Sequence, residues 1–165
     1  MSVLSKLEEN IPSLRRYAWT LLRNSSDADD LVQDCLLKAL DRIDTLRTAS
    51  DLRSWLFTIM HNLYVNRWRR MKLRARVTAD EGELAVGPSQ QASVEIQDVL
   101  RGLGSLSEEQ RQIVLLVAVE GFQYGEVAAM LGIPVGTVMS RLSRARDRLR
   151  EFVEGQERPL LRRVK

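Results

Sequence analysis

Four polar side chains near the C-terminus have the types and the spacing needed to read double-stranded DNA. They are Thr137, Ser140, Arg141 and Arg144. Residues three, four and seven positions apart share one face of a helix. An arginine side chain binds guanine through two hydrogen bonds, or a phosphate without sequence preference, and the sequence does not assign either role. The pattern predicts a DNA-reading helix, with a solvated basic helical hairpin as the alternative.

The elements that must position this face have the pattern of a helix-turn-helix. Apolar spacing predicts a short helix over 124–131, a turn at Gly132 and a second helix whose first position is Pro134. A periodic apolar stripe runs along the second helix: Val138, Leu142, Ala145, Leu149 and Phe152. Burial of this stripe would hold the second helix on its support, so that its N-terminal half is free to enter a major groove.

A second candidate nucleic-acid surface lies over residues 52–74, where aromatic and basic side chains interleave. Aromatic rings stack on unpaired bases, at about 1–3 kcal/mol per base, while arginines neutralise phosphates. Trp55 is expected in the core because it shares a helical face with buried-type neighbours. Tyr64 and Trp68 are open between a core role and a stacking role. We predict a bend near His61 and Asn62, followed by a basic helix over 63–74.

A third cluster is acidic and lies at 30–40, on a helix whose start resembles a capping box of Ser26 with Asp29. Aspartates can hold a metal ion for catalysis. Consecutive aspartates on a helix point in different directions, however, and no histidine partners them. Leu37 lies on the polar side beside Gln33 and Asp34, which favours a protein-docking face. We expect no catalytic residue and no metal site.

Composition favours helices and two domains. Hydrophobic residues make up 44% of the 165, enough for a packed core, and β-branched residues do not form alternating runs. Residues 77–93 contain two glycines and a proline without a helical stripe, so they are predicted to be a flexible linker. The predicted fold is all-α, with two small helical domains at 1–76 and 94–155 and a basic tail at 156–165.

The cysteine, histidine and apolar content restricts which cofactors and which cellular compartment are expected. A single cysteine allows no internal disulfide, and one histidine leaves too few ligands for a zinc site. No apolar run is long enough for a signal peptide or a membrane span. We therefore expect a cytoplasmic protein without cofactors or membrane insertion. Acidic and basic residues are segregated although the net charge is only +3, which suggests separate surfaces for a protein and for a polyanion.

Taken in order, several stretches resemble the extracytoplasmic-function (ECF) sigma factors of bacterial RNA polymerase. They are DLVQDCLLKAL, LRSWLFTIMHNL, the linker and LSEEQRQIVLLVAVEGFQYGEVAAMLGIPVGTVMSRLSRARDRL. The resemblance covers nearly the whole chain, and PVGTVMSRLSRAR is its most specific part. It implies a sigma-2 domain followed by a sigma-4 helix-turn-helix domain, in a promoter-reading subunit that is not an enzyme.

The resemblance also implies roles for three sets of residues. Docking on the β′ clamp helices of polymerase falls to Asp30, Gln33, Asp34 and Leu37. Recognition of the −10 element and melting fall to Asn62, Tyr64, Asn66, Arg67 and Arg70, with Asn62 in a loop that holds a flipped base. Reading of the −35 element falls to Thr137, Ser140, Arg141 and Arg144. Met139 departs from the family pattern, because many relatives carry a basic residue there.

The partners that the resemblance implies are core RNA polymerase, through its β′ clamp helices and β flap, promoter DNA, and an anti-sigma factor. Two other interpretations remain. A stand-alone helix-turn-helix regulator would bind its duplex tightly without polymerase. A sigma mimic would sequester an anti-sigma factor and never touch DNA; the basic recognition helix disfavours it.

Overall fold

The computed structural model describes residues 2–78 and 93–161, and every regular element in these ranges is helical. The chain divides into two compact units, Met1–Gly87 and Pro88–Lys165. This division lies within the predicted linker, most of which falls outside the described residues. The predicted fold class, two all-α domains, is confirmed.

Residues 2–78 fold into three long helices with two short 3-10 turns between the second and the third. The helices are α1 (Val3–Leu22), α2 (Ser25–Asp41) and α3 (Leu52–Thr78), and the turns are Ile43–Thr45 and Ala49–Asp51. Arg23 ends α1 in the left-handed conformation, with a φ of 55°. Asn24 then caps α2, because its Oδ1 accepts a hydrogen bond from the Asp27 N–H at 3.0 Å. The predicted capping box of Ser26 is therefore wrong.

The core of the N-terminal unit forms where these helices meet. The rings of Tyr17 and Phe57 pack edge to face, with centroids 5.4 Å apart, and both side chains are buried. Cys35 is also buried, and its Sγ donates to the Leu56 carbonyl at 3.5 Å. Burial raises the pKa of the Cys35 thiol to about 12, so the thiol stays protonated and unreactive.

Helix α3 is continuous, so the predicted bend near His61 and Asn62 is wrong. Its sequence contains neither proline nor glycine, the usual causes of a kink. The buried residues keep helical spacing across the expected bend: Leu52, Leu56, Ile59, Met60 and Tyr64. Beyond this stripe, every side chain from Arg69 to Val77 is exposed. The last part of α3 therefore extends away from the core of its own unit.

Residues 93–161 form four helices: α4 (Val94–Gly104), α5 (Glu108–Val114), α6 (Tyr124–Leu131) and α7 (Val135–Leu161). Pro134 accepts the Val138 N–H at 3.2 Å, which places it just before α7 rather than at its first position. Helix α7 continues through 156–161, so these residues of the predicted tail are helical. Helix α5 widens at its end into a π turn over Leu115–Val119, where the Glu120 N–H bonds the Leu115 carbonyl at 2.9 Å.

Side chains tie the helix ends of the C-terminal unit. Ser107 and Gln110 form a capping box at the start of α5, and Gln123 and Glu126 form another at the start of α6. Arg111 donates to the carbonyls of residues 103 and 106 at 3.0 and 3.1 Å, which fastens the connection between α4 and α5. These contacts hold the elements that support α7.

Candidate nucleic-acid interface

The rotation of α7 about its own axis is fixed by its buried stripe. Val138, Leu142 and Ala145 are all at most 4% exposed, as the sequence predicts for residues that face the support. Gly132 closes α6 with a φ of 66°, a left-handed conformation that suits glycine, and so allows the tight turn into α7. The opposite face of α7, in its N-terminal half, consequently points to solvent.

The four predicted DNA-reading residues differ in their exposure to solvent. Ser140 and Arg144 are exposed, whereas Thr137 and Arg141 are half-buried. The Ser140 hydroxyl donates to the Thr137 carbonyl at 3.2 Å. Met139 is also exposed, so an apolar side chain sits beside the polar ones on the outward surface. The structure thus brings the four residues onto one side of α7 but leaves two of them closer to the supporting helices.

Two arginines of α7 contact the elements that precede the helix-turn-helix. Arg141 Nη2 lies 3.5 Å from Glu109 Oε2 on α5. Arg148 Nε donates to the Ser105 carbonyl at 3.2 Å. Sequence reasoning missed both contacts, because partners more than 30 residues apart cannot be read from helical periodicity.

On α3, three of the predicted −10 residues form an exposed row. Asn62, Asn66 and Arg70 are four residues apart, so they lie along one face of the helix, and all three are exposed. Asn62 lies inside the continuous helix rather than in a loop. The expectation that Asn62 belongs to a loop is therefore corrected, while its side chain remains accessible.

Tyr64 and Arg67 are placed differently from that row. Tyr64 is only 3% exposed and belongs to the core, so its ring has no free face on which a base could stack. Arg67 is half-buried, and its Nη1 donates to the Asp27 carbonyl in the first turn of α2 at 2.9 Å. Tyr64 is consequently withdrawn as a DNA contact, and Arg67 braces α3 against α2.

Trp68 has a cation on its ring. The Lys72 Nζ lies 3.7 Å from the centroid of the half-buried indole ring, a cation–π contact within one turn of α3. Trp55 is half-buried as well, rather than fully in the core. Lys72 covers one face of the indole ring, so a base could stack on that face only if the lysine side chain moved aside.

His61 lies beside the exposed row but does not belong to it. Its Nδ1 is buried without a hydrogen-bond partner. Burial lowers the pKa of His61 from 6.5 to about 4, because charging the ring would cost solvation. The imidazole is therefore neutral at pH 7 and adds no positive charge to the basic part of α3.

Helix α2 presents an acidic face with apolar residues in it. Asp30, Gln33, Asp34 and Leu37 are all exposed, and Leu37 is exposed by 67%. Leu40 is exposed too, although helical spacing groups it with buried residues of α2 such as Val32 and Ala39. The face thus combines two leucines with carboxylates, which suits a protein partner better than a nucleic acid.

Within residues 2–78 and 93–161, no cluster of three or more His, Cys, Asp or Glu side chains is arranged to hold a metal ion. No helix in the same ranges has both the length and the apolar character needed to span a membrane.

Family models match each unit separately. Residues 7–61 match the model described as the Sigma2 domain of PhyR, and residues 96–149 match Sigma-70, region 4. The first match covers most of α1, all of α2 and the first ten residues of α3, and the second runs from the start of α4 to the middle of α7. These matches define the class of the protein: a sigma-2 domain followed by a sigma-70 region 4 domain.

Relatives that match both units in one alignment define the class more closely. The chain is 40% identical over 153 residues to the ECF RNA polymerase sigma factor EcfG of Rhodopseudomonas palustris (strain TIE-1), covering 89% of this chain and 83% of that protein. It is 33% identical over 153 residues to the ECF RNA polymerase sigma-E factor of Escherichia coli (strain K12), covering 84% and 78%.

Solved structures agree with these relatives. The sigma factor RpoE of Bartonella quintana, in complex with the anti-sigma factor NepR, matches with a TM-score of 0.75 and 37% identity, covering 91% of this chain and 95% of that one. CnrH in complex with the cytosolic domain of CnrY matches with a TM-score of 0.69 and 27% identity, covering 93% and 88%.

The chain belongs to the ECF family of RNA polymerase sigma factors. It is a transcription initiation factor that binds core RNA polymerase and directs it to promoter DNA. The family consists of non-enzymatic transcription initiation factors.

Proposed function

We propose that this sigma factor divides promoter recognition between its two units. In the C-terminal unit, α7 enters the major groove of the intact −35 duplex. In the N-terminal unit, α3 holds the −10 element while its strands separate, and α2 docks on polymerase. The observation that carries this proposal is the geometry of α7: Val138, Leu142 and Ala145 are buried on one side, and Ser140 and Arg144 are exposed on the other.

The −35 assignment rests on the position of the exposed residues within α7. A recognition helix contacts base edges with its N-terminal half. Ser140 and Arg144 lie in the first three turns of α7, and Thr137 and Arg141 lie beside them. An arginine paired with guanine contributes about 1–3 kcal/mol of discrimination against the wrong base. We assign such a contact to Arg144 because its side chain is exposed.

The −10 assignment rests on the exposed row of Asn62, Asn66 and Arg70. Asparagine offers both a donor and an acceptor to base edges, and arginine supplies the charge that a separated strand needs. Arg69 and Arg74 extend the positive charge along the same helix. Arg67 contributes by bracing α3, and Tyr64 has no part in this proposal.

Polymerase docking is assigned to the acidic face of α2. Asp30, Gln33 and Asp34 would meet the β′ clamp helices, with Leu37 and Leu40 providing apolar contact. We also propose that the C-terminal unit contacts the β flap. Because core polymerase and promoters are found in the cytoplasm, we assign the protein to that compartment, and we assign it no catalytic activity and no cofactor.

We further propose that an anti-sigma factor regulates the chain. Two structures with TM-scores of 0.75 and 0.69 to this chain hold a sigma factor together with NepR or CnrY. Exposed apolar side chains are present in each unit, including Leu37 on α2 and Val99 on α4. A single regulator that covered such side chains in both units would keep the factor from polymerase.

The decisive experiment is run-off transcription with core polymerase on a promoter library. Arg144→Ala should reduce transcription from promoters that depend on a −35 element by about fivefold or more. Asn62→Ala should instead slow promoter opening or change the choice of −10 sequence. Arg150→Ala, at an exposed position further along α7, is the matched control and should leave promoter choice unchanged.

Docking is tested separately by measuring the affinity of the chain for core polymerase without DNA. Asp34→Asn should weaken binding, whereas Asp44→Asn, an exposed carboxylate in the turn after α2, should not. Failure of the wild-type chain to bind core polymerase would refute the whole division of roles. Unchanged promoter use by both Arg144→Ala and Asn62→Ala would refute the two DNA assignments.

A further inference from the structure

The ion pair between α5 and α7 places a carboxylate beside an arginine of the candidate recognition surface. Arg141 Nη2 and Glu109 Oε2 are 3.5 Å apart. The Arg141 side chain is 27% exposed, whereas that of Glu109 is 67% exposed. The guanidinium is thus held at the edge of the domain while the carboxylate remains in water. The contact links the first turn of the supporting helix to the helix that faces DNA.

The neighbouring carboxylate has a different partner. Glu108 Oε2 lies 3.0 Å from Arg111 Nη1, within α5. Arg111 also fastens the connection between α4 and α5, so this pair has a structural role. Glu109 differs in that its carboxylate lies within 3.5 Å of an arginine of α7.

We propose that Glu109 is a positioning residue that increases the sequence specificity of DNA reading by Arg141. The inference rests on the proposed function, because it requires α7 to face the upstream duplex. A guanidinium has five N–H donors, and a contact through Nη2 leaves the others for guanine or for a phosphate. Fixing the side chain in advance reduces the rotamer entropy that a correct contact would otherwise cost.

The charge of Glu109 has a second effect that does not depend on sequence. A carboxylate close to the phosphates repels every duplex, whatever its sequence. This repulsion lowers the affinity for correct and wrong duplexes equally, so the ratio of the two affinities is changed only by the positioning of Arg141. Glu109 therefore lowers general affinity while it favours the specific contact, and specificity is the difference between the two.

The test measures the affinity of holoenzyme, assembled from the full chain and core polymerase, for two duplex probes. One probe is a promoter that the wild-type holoenzyme selects from a library randomised upstream, and the other carries the scrambled upstream element. Glu109→Gln preserves the size of the side chain and removes its charge. We expect affinity for the scrambled probe to rise and the ratio of the two affinities to fall by roughly two- to fivefold, the range for an exposed ion pair.

A double-mutant cycle separates positioning from a general charge effect. Arg141→Ala should itself lower the affinity ratio, and Glu109→Gln added to it should cause no further fall. Glu154→Gln is the matched control, because it changes the net charge equally at an exposed position of α7 about 20 Å from Arg141 along the helix. This control should leave the ratio unchanged.

Each failure points to a different cause. If Arg141→Ala leaves the ratio unchanged, Arg141 does not read DNA, and its assignment under the proposed function is wrong. If Arg141→Ala lowers the ratio but Glu109→Gln does not, the inference fails and that assignment stands. The inference also fails if Glu109→Gln improves binding to both probes equally, or if it lowers the ratio as much without Arg141 as with it.

Discussion

Helices α3 and α7 each contain 27 residues and carry many arginines, yet they are supported very differently. Helix α7 packs against α4, α5 and α6; its buried residues run from Val138 to Ala145, and Leu149 and Phe152 further along are half-buried. Helix α3 is buried against α1 and α2 as far as Tyr64, Arg67 still contacts α2, and the helix is bare from Arg69 to Val77. The candidate DNA residues Ser140 and Arg144 thus lie on the packed part of α7, whereas Arg70 lies on the bare part of α3.

The difference matches the nucleic acid that we assign to each helix. A duplex has a fixed groove, so a rigid reader with a defined rotation loses little entropy when it binds. Separating strands have no fixed shape, and the exposed arginines of α3 can neutralise their phosphates without a rigidly defined geometry. Support therefore distinguishes the two helices better than composition does.

The largest expected effect comes from removing support under α7. Leu142→Ala should lower the free energy of unfolding of the C-terminal unit by about 2–5 kcal/mol, because it leaves a cavity under a buried side chain. Urea unfolding followed by circular dichroism would measure the loss. Leu73→Ala on the bare part of α3 is the control, and should cost less than about 0.5 kcal/mol. Similar losses in the two variants would contradict the difference in support.

Acid should destabilise the braced part of α3 through His61. Its pKa is 6.5 when unfolded and about 4 when folded, so between these values only the unfolded chain binds the proton. Stability is complete above pH 6.5 and falls as the pH drops towards 4, by at most about 1.4 kcal/mol per pH unit. Tryptophan fluorescence follows this unit alone, since Trp19, Trp55 and Trp68 all belong to it.

His61→Phe is the comparison for the acid effect. His61 is the only histidine in the chain. The variant should therefore lose the dependence of stability on pH between about pH 6.5 and pH 5, where carboxylates remain ionised. A dependence of equal slope in both proteins would show that His61 is not responsible.

A smaller effect is expected when the bare part of α3 is weakened directly. Ala75→Gly should cost about 1 kcal/mol of local helix stability, because glycine gains more backbone freedom on unfolding. Hydrogen exchange should accelerate in residues 69–77 while urea unfolding of the unit stays the same. A drop in global stability would mean that this segment is packed after all.

The smallest expected effect comes from removing one positive charge from the bare part of α3. Arg70→Ala should reduce the slope of log affinity against log salt by about 0.7–0.9, the amount for one phosphate contact. The measurement is promoter binding by holoenzyme across a salt series. An unchanged slope would remove Arg70 from the DNA surface, and Arg76→Ala then becomes the next variant to test.

The sequence predicted the C-terminal unit better than the N-terminal one. The stripe of α7 repeats at helical spacing, and glycine and proline mark its start, so local patterns define it. On α3, His61 and Asn62 resemble a helix end, but the buried stripe passes through them. Local polarity suggested a bend, whereas the packing of Met60 and Tyr64 decides that the helix continues.

Individual site residues were harder to predict than elements. Tyr64 and Asn62 are two positions apart, about 200° around a continuous helix, so one lies in the core and the other in solvent; the predicted bend between them hid this difference. Arg141 and Glu109 are separated by most of two helices and a turn, so no periodicity reveals their contact. The sequence therefore identifies which segments carry the chemistry, and tertiary contacts decide which side chains can perform it.

The π turn over Leu115–Val119 gives this region a tolerance to changes in chain length. A π turn fits one more residue into a helix than an α turn does, without rotating the segments on either side. Loss of Ala118, which is exposed, would leave an ordinary turn with Ile113 still in the core. The same deletion within α7 would swing Arg144 by about 100°. Deletion of one residue should therefore be tolerated better within the π turn than after Gly132.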